Sequence, residues 1–246
     1  MLFKERAIIH LDRTDSTNQY AWELLRQAPP PDGTVIVAQS QAQGRGQRGA
    51  EWESQPGANL LCSLVVYPHF LTAKNHFYLS KVVALAIQEL LEEYLDKEVL
   101  LKWPNDIIVT HKKIAGILIE AAWNEQRMQQ AVIGIGINLN QMEFNYAKAT
   151  STRLQSGKVW DAQDCLQSLL QKFEKYYFKL ASGQLTELSK SYREHLYRLG
   201  QPTKFEYLGR QIEAMITGVD EDGKLRLHCA DGQSLSCDLK EIKMWY

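Results

Sequence analysis

The 246-residue chain has no run approaching the ~20 apolar residues of a membrane-spanning helix, no internal repeat and no low-complexity tract. A membrane protein of helices and a solenoid are therefore excluded. Cysteine is scarce. Cys62, Cys165, Cys229 and Cys237 are the four present, and none pair at the C-x-x-C spacing of a zinc or redox site. They read as reduced thiols of a cytoplasmic protein. An excess of charge of either sign is also missing: 28 Lys and Arg stand against 29 Asp and Glu, a net charge of −1. Neither nucleic acid nor a membrane surface is predicted as the main partner, and any basic chemistry must be local. The six histidines form no metal or triad spacing. The opening MLFKERAIIHLDRTDS has too short an apolar run and too many charges for a secretory signal. What is present is an ordinary globular mixture, 45% hydrophobic and 23% charged, enough for a sizeable core.

Ser16-Thr17-Asn18-Gln19 predicts a helix start, with Ser16 as N-cap and Gln19 as its capping-box partner. Trp22 and Leu25 give that helix an apolar stripe, and Ala28-Pro29-Pro30-Pro31-Asp32-Gly33 ends it. Strands are predicted at 34–38 and 59–67, with a long polar loop at 39–55 between them. Loops of that length in a compact domain are usually functional or disordered. Leu79, Val82, Val83, Ala86, Ile87, Leu90, Leu91 and Tyr94 repeat at i, i+3, i+4, i+7, which places a helix over 72–95. Strands at 99–102, 106–109, 114–121 and 131–139 follow, then helices at 161–180 and 184–196. Beyond Thr203 the pattern shifts to short alternating runs around the hairpin signals Asp222-Gly223 and Asp231-Gly232. The expected fold is α/β (α+β), a mixed, mainly antiparallel sheet with flanking helices, joined to a small C-terminal SH3-like β-barrel. The boundary falls near 200, giving domains 1–200 and 201–246.

Four stretches carry chemistry. In Gly44-Arg45-Gly46-Gln47-Arg48-Gly49, glycines let the backbone approach a ligand and arginines offer planar donor forks for a carboxylate or phosphate. The other reading is a solvated basic loop. No G-K-[ST] follows, so it is not a Walker loop. In Lys102-Trp103-Pro104-Asn105-Asp106, the proline interrupts sheet pairing. Asp106 then either holds a metal–nucleotide complex or orients a lysine, unless the segment is simply a turn. Lys113 stands at the mouth of the strand through Gly116, either reaching a phosphate or exposed beside Lys112. In the strand 131–140, Ile133, Ile135, Ile137 and Leu139 share one face, while Gly134, Gly136, Asn138 and Asn140 share the other. That bare face admits either a ligand or a closely packed helix.

Taken in order, DSTNQ at 15–19, GRGQRG at 44–49 with Trp52 after it, KWPND at 102–106, KIAGILIE at 113–120 and GIGINLN at 134–140 resemble the biotin–protein ligases. ATSTRLQSGKVWD at 149–161 is similar to the family's stretch after its adenylate-binding loop. The resemblance spans nearly the whole chain. It implies the class II synthetase-like biotin/lipoate ligase fold and an ATP-dependent enzyme that forms biotinyl-5′-AMP and passes biotin to a lysine. By that resemblance, Ser16, Thr17, Asn18, Gln41, Arg45, Gly46, Gln47, Lys113 and Gly116 bind biotin. Arg48, Trp52, Lys102, Asn105, Asp106 and Asn138 serve ATP. Lys113, Arg45 and Arg48 are the catalytic cations.

ATP with Mg²⁺ and biotin are the implied substrates, with no tightly bound prosthetic group. The implied partner is the biotin carboxyl carrier domain of a carboxylase. Family members occur as monomers and as dimers, so a homodimer stays open. Gln47 and Ala50 stand where relatives often carry arginine, which implies a looser hold on the acyl-adenylate. No helix-turn-helix precedes Ser16, so specific DNA binding is not expected. A lipoate–protein ligase shares the fold and chemistry in outline, but its pocket should lack GRGxRG and KWPND. A non-enzymatic binding module would be supported only by the β tail and the basic loop.

Overall fold

The structure, a computed structural model, describes residue 3 and residues 6–244. Its first part is a seven-stranded sheet with helices on both faces. In chain order the elements are β1 (Ile8–Thr14), α1 (Thr17–Gln27), β2 (Val35–Gln41), β3 (Leu60–Val66), α2 (Phe77–Tyr94), β4 (Val99–Lys102), β5 (Asp106–Val109), β6 (Lys112–Asn124) and β7 (Arg127–Ile137). Helices α3 (Thr152–Ser156), α4 (Ala162–Ala181) and α5 (Leu185–Glu194) follow. The strand order is β1-β2-β3-β7-β6-β5-β4. Only β1 and β2 run parallel; every other pair is antiparallel. This is the mixed, mainly antiparallel sheet that the sequence predicts.

Alternation along β7 sets the two faces. Ala131, Ile133, Ile135 and Ile137 join the main core with α2 and α4, including Leu79, Val83, Ile87 and Phe173. Val132 faces the other way, into a smaller cluster with Ala21 and Leu25 of α1. The second sheet comprises β8 (Pro202–Tyr207), β9 (Arg210–Val219), β10 (Leu225–Cys229), β11 (Ser234–Cys237) and β12 (Ile242–Met244). Its order is β11-β10-β9-β8-β12, all antiparallel, the small β unit expected after residue 200. Its buried Phe205, Ile216, Leu225 and Leu227 belong to the same continuous core as the first sheet. All four cysteines are buried and unpaired. No helix among the described residues is long and apolar enough to cross a membrane.

Four local expectations need correction. β1 is an additional strand, paired in parallel with β2. Ser16 does occupy the N-cap position of α1, but its side chain caps nothing. Gln19 instead donates to Glu23 and accepts from Arg45, so no capping box forms. α2 begins at Phe77 rather than 72, because Asn75 binds the Thr72 N–H and hydroxyl and holds 72–75 as a turn. The polar stretch 39–55 is not one structureless loop. β2 extends to Gln41, and residues 44–52 close on themselves through Trp52 N–H to Gly44 O (2.9 Å) and Gly46 N–H to Ala50 O (2.6 Å), around a 3-10 turn at Gln47–Gly49.

Candidate active site

The glycine face of β7 and its partner strand β6 form the floor of a cleft of about 440 Å³, including space open to solvent. Ser16, Thr17, Asn18, Gln41, Arg45 and Lys113 are among the side chains around it. The start of α1 is buried over this floor, with Ser16, Thr17 and Asn18 each under 5% exposed. Polar groups at such depth are usually hydrogen-bonded, and the side chains of Thr17 and Asn18 are. Gln41 Oε1 accepts from the Thr17 N–H at 2.7 Å and from its hydroxyl at 3.1 Å. Asn18 Nδ2 donates to Glu120 Oε2 at 2.7 Å and to the Leu118 carbonyl at 3.3 Å. The Ser63 hydroxyl stands 2.6 Å from Asn18 Oδ1 and 2.7 Å from Thr17 Oγ1. Gly134 exists as a notch for this amide: a Cβ there would lie 2.4 Å from Asn18 Oδ1.

Trp52 forms the next part of the wall. Cβ atoms at Gly116 and Gly136 would stand 2.8 Å from its Cζ3 and 2.5 Å from its Cε2. The two glycines thus clear a flat seat for the indole. Beyond the ring lies a second cleft of about 710 Å³ counted the same way, lined by Trp52, Glu53, Asp106, Lys113, Asn138, Phe144 and Tyr146. Lys113 and Trp52 line both clefts. The Lys113 ammonium is 2.6 Å from Asp106 Oδ1 and 5.3 Å from the centroid of the Trp52 ring. Its backbone is pinned on both sides, by Lys113 N–H to Lys148 O and Thr150 N–H to Lys113 O. Lys102 pairs with Asp106 across the β4–β5 hairpin, whose turn carries a cis Trp103–Pro104 bond. Burial depresses the Lys102 ammonium to about 8; Asp106 opposes the shift, while Lys113 and Lys148 reinforce it. Lys102, Lys113 and Lys148 thus act on one another near Asp106, a grouping of cations that can meet phosphate oxygens.

Two buried polar atoms here have no hydrogen-bond partner among the described residues, the indole N–H of Trp52 and Oδ1 of Asn138. Each orphaned group costs about 1–3 kcal/mol, and a bound nucleotide offers both acceptors and donors to relieve that cost.

The profile of the biotin/lipoate A/B protein ligase family matches residues 10–138, and that of the biotin protein ligase C terminal domain matches residues 199–246. The chain belongs to the biotin protein ligase family. A Paracoccus denitrificans biotin–[acetyl-CoA-carboxylase] ligase is 30% identical over 92% of this chain and 95% of its own. The Bacillus subtilis bifunctional ligase/repressor BirA is 31% identical over 92% of this chain and 70% of its own length. The Aquifex aeolicus biotin protein ligase in complex with biotin and ATP superposes with a TM-score of 0.81 at 28% identity, covering 97% of this chain and 98% of the other.

Against this family's motifs, the structure gathers most of the residues named from sequence but not all. Ser16, Thr17, Asn18, Gln41, Arg45, Gly46, Lys113 and Gly116 converge on the first cleft. Trp52, Asp106 and Asn138 converge on the second, with Lys102 paired opposite Asp106. Asn105, named with the ATP residues, lines the first cleft instead and donates to Ile117 O at 2.8 Å. Gln47 and Arg48 point elsewhere. Gln47 lines a groove that reaches the second sheet and shares Asn105 and Ile117 with the first cleft, and Arg48, in a left-handed conformation with φ 56°, donates to the Leu239 carbonyl. Ser63, Glu120 and Lys148 went unremarked in the sequence. A serine inside the apolar run LLCSLVV and a glutamate ending KIAGILIE were the available signals.

Proposed function

We propose that the chain is an ATP-dependent biotin–protein ligase. It forms biotinyl-5′-AMP and pyrophosphate from biotin and ATP, then transfers biotin to a lysine of the biotin carboxyl carrier domain of a carboxylase. The observation that carries this reading is Lys113, which lines both clefts together with Trp52 and holds its ammonium 5.3 Å from the centroid of that ring. A carboxylate in the first cleft and an α-phosphate in the second would meet at that ammonium. Attack of the carboxylate oxygen on phosphorus forms the new P–O bond and expels pyrophosphate. Charge on the phosphoryl oxygens is stabilised by a cation already oriented by Asp106. Lys102 and Lys148 favour the polyphosphate side. The amine of the acceptor lysine, entering deprotonated, then attacks the acyl carbon and AMP leaves.

Mg²⁺ enters as part of the nucleotide substrate. Among the described residues no three Asp, Glu, His or Cys side chains gather to hold a metal. That suits an ion bound mainly by phosphates and water with one or two carboxylates, Asp106 being the carboxylate at hand. We further propose that the chain divides near residue 200 into a catalytic unit (1–200) and a β unit (201–246), and that it works in the cytoplasm, where buried thiols stay reduced. ATP–pyrophosphate exchange measured with biotin and with lipoate, followed by transfer to a purified carrier domain, tests the proposal. Exchange that needs biotin supports it; exchange driven by lipoate alone, or none, overturns it.

A further inference from the structure

We propose that Glu120 is a positioning residue for the acid-binding cleft, acting through Asn18 to fix which end of the Asn18 amide the ligand meets. An amide side chain can present either a donor or an acceptor, and its surroundings decide which. Both Nδ2 hydrogens of Asn18 are consumed, one by the Glu120 carboxylate at 2.7 Å and one by the Leu118 carbonyl at 3.3 Å. Oδ1 faces Ser63 and the Gly134 notch. Reversing the amide would set its oxygen against the Glu120 carboxylate and the Leu118 carbonyl together, acceptor facing acceptor. Asn18 therefore offers the cleft an acceptor. The single Ser63 proton satisfies either Asn18 Oδ1 or Thr17 Oγ1 at one time, so the Asn18 oxygen keeps capacity for a donor from the ligand.

This assignment rests on the proposed function and narrows it. The ureido ring of biotin carries N–H donors that such an acceptor can pair. The dithiolane ring of lipoate carries none, so it forgoes the hydrogen bond that the free lone pair of Asn18 Oδ1 offers to a ligand donor. Nothing in the sequence pattern links the two residues, because Glu120 and Asn18 lie 102 positions apart. Their geometry does, since β6 sends Gly116, Leu118 and Glu120 to the face that α1 covers.

The test is ATP–pyrophosphate exchange with biotin and ATP titrated separately. Glu120→Ala removes the acceptor that holds Nδ2. It should raise KM for biotin about tenfold, with kcat and KM for ATP within about twofold of wild type. Glu120→Gln keeps an amide oxygen in place and should recover most of the affinity. Asn18→Asp sets two carboxylates together and should be badly impaired, whereas Asn18→Asp/Glu120→Gln, with a donor restored opposite the aspartate, should regain at least part of the loss. Such non-additivity belongs to a directly coupled pair. Equal changes in both KM values, or a double variant no better than Asn18→Asp, would overturn the inference. Thermal melts of each variant identify one that has simply unfolded, and Glu120→Gln then stands as the remaining measurement. Wild type inactive with biotin sinks the functional reading itself; wild type active and Glu120→Ala unchanged sinks only this assignment.

Discussion

Lys113 is tied to Asp106 by a 2.6 Å contact between Nζ and Oδ1, and that carboxylate pairs no such contact with the adjacent Lys112, which is exposed. Neighbours in sequence thus have separate tasks. Lys113→Ala is expected to lower the adenylation rate by roughly 10² or more, the usual effect of losing a preorganised charge at a developing anion. Lys112→Ala should leave it unchanged and alter stability by less than about 0.5 kcal/mol. Lys113→Arg should also fail, because a broad planar fork does not replace a point charge held between a carboxylate and an indole. Equal exchange rates for the Lys112 and Lys113 alanine variants would show that the ammonium at the junction is not the working cation.

Lys102 gives a pH dependence of defined direction. Its proton leaves at about 8 in the folded chain, against an ordinary 10.5, because burial outweighs the pull of Asp106. Between those values the unfolded chain carries more protons, so the cost of burying this charge, constant and full below about 8, is relieved as pH rises from about 8 to about 10.5. Phosphate binding needs the charged form and moves the opposite way. KM for ATP should climb above pH 8, approaching about tenfold per unit if one proton is required, while KM for biotin stays flatter. Lys102→Arg, charged throughout, should lose the slope. A pH-independent KM for ATP from 7 to 9.5 in wild type would rule out a nucleotide role for this lysine.

Much of this architecture was legible in local pattern. The heptad-like spacing of Leu79 through Tyr94 set α2, and the alternating glycines of β7 marked a bare strand face. At Gly134 that face follows the helix-packing reading, since it admits Asn18 of α1; at Gly136 it seats Trp52, a loop side chain that neither reading named. What escaped was non-local. β1 is held by parallel pairing with β2 across α1, which leaves no hairpin signal. Ser63 and Glu120 gain their meaning from Asn18, 45 and 102 residues away. Arg48 sits in a glycine-rich loop that reads as anion-binding, yet its guanidinium reaches a carbonyl 191 positions on.

The two Asp-Gly turns of the second sheet look alike in sequence and differ in structure. Gly223 has φ +90° and a Cβ there would strike Phe77 Cδ2 at 2.6 Å; Gly232 has φ +87° with nothing within 4 Å. Gly223 also accepts the Trp103 indole N–H at 2.8 Å, so its turn docks onto the KWPND hairpin and the start of α2. Gly232→Ala should cost only backbone strain, about 1–3 kcal/mol. Gly223→Ala adds an overpacking cost of similar size and should melt several degrees lower than Gly232→Ala, at about 2–4 °C per kcal/mol for a chain of this size. It should also raise KM for ATP by displacing Trp103 beside Lys102. Identical melting temperatures for the two variants would mean that the first turn is an ordinary hairpin with no docking role.

Gly136 offers the most direct test of the wall between the clefts. It lies on a central strand, paired with Leu61 of β3 and Gly116 of β6, so its backbone has little room to shift. An alanine methyl would fall 2.5 Å from Trp52 Cε2, 2.7 Å from Cζ2 and 2.9 Å from Nε1, distances no real contact sustains. The indole, carried on the 44–52 hairpin rather than on the sheet, is the part that must give way. Gly136→Ala is therefore expected to fold, to move the tryptophan emission, and to raise KM for ATP by an order of magnitude or more as the ring leaves its seat. If displacement of Trp52 is the whole effect, Trp52→Ala should show the same defect, and Gly136→Ala/Trp52→Ala should be no worse than Trp52→Ala alone, because the second change removes what the first one pushes aside. Additive losses in the double variant would mean that the alanine methyl intrudes on the ligand itself, and the indole would then lose its place as the partition between acid and nucleotide.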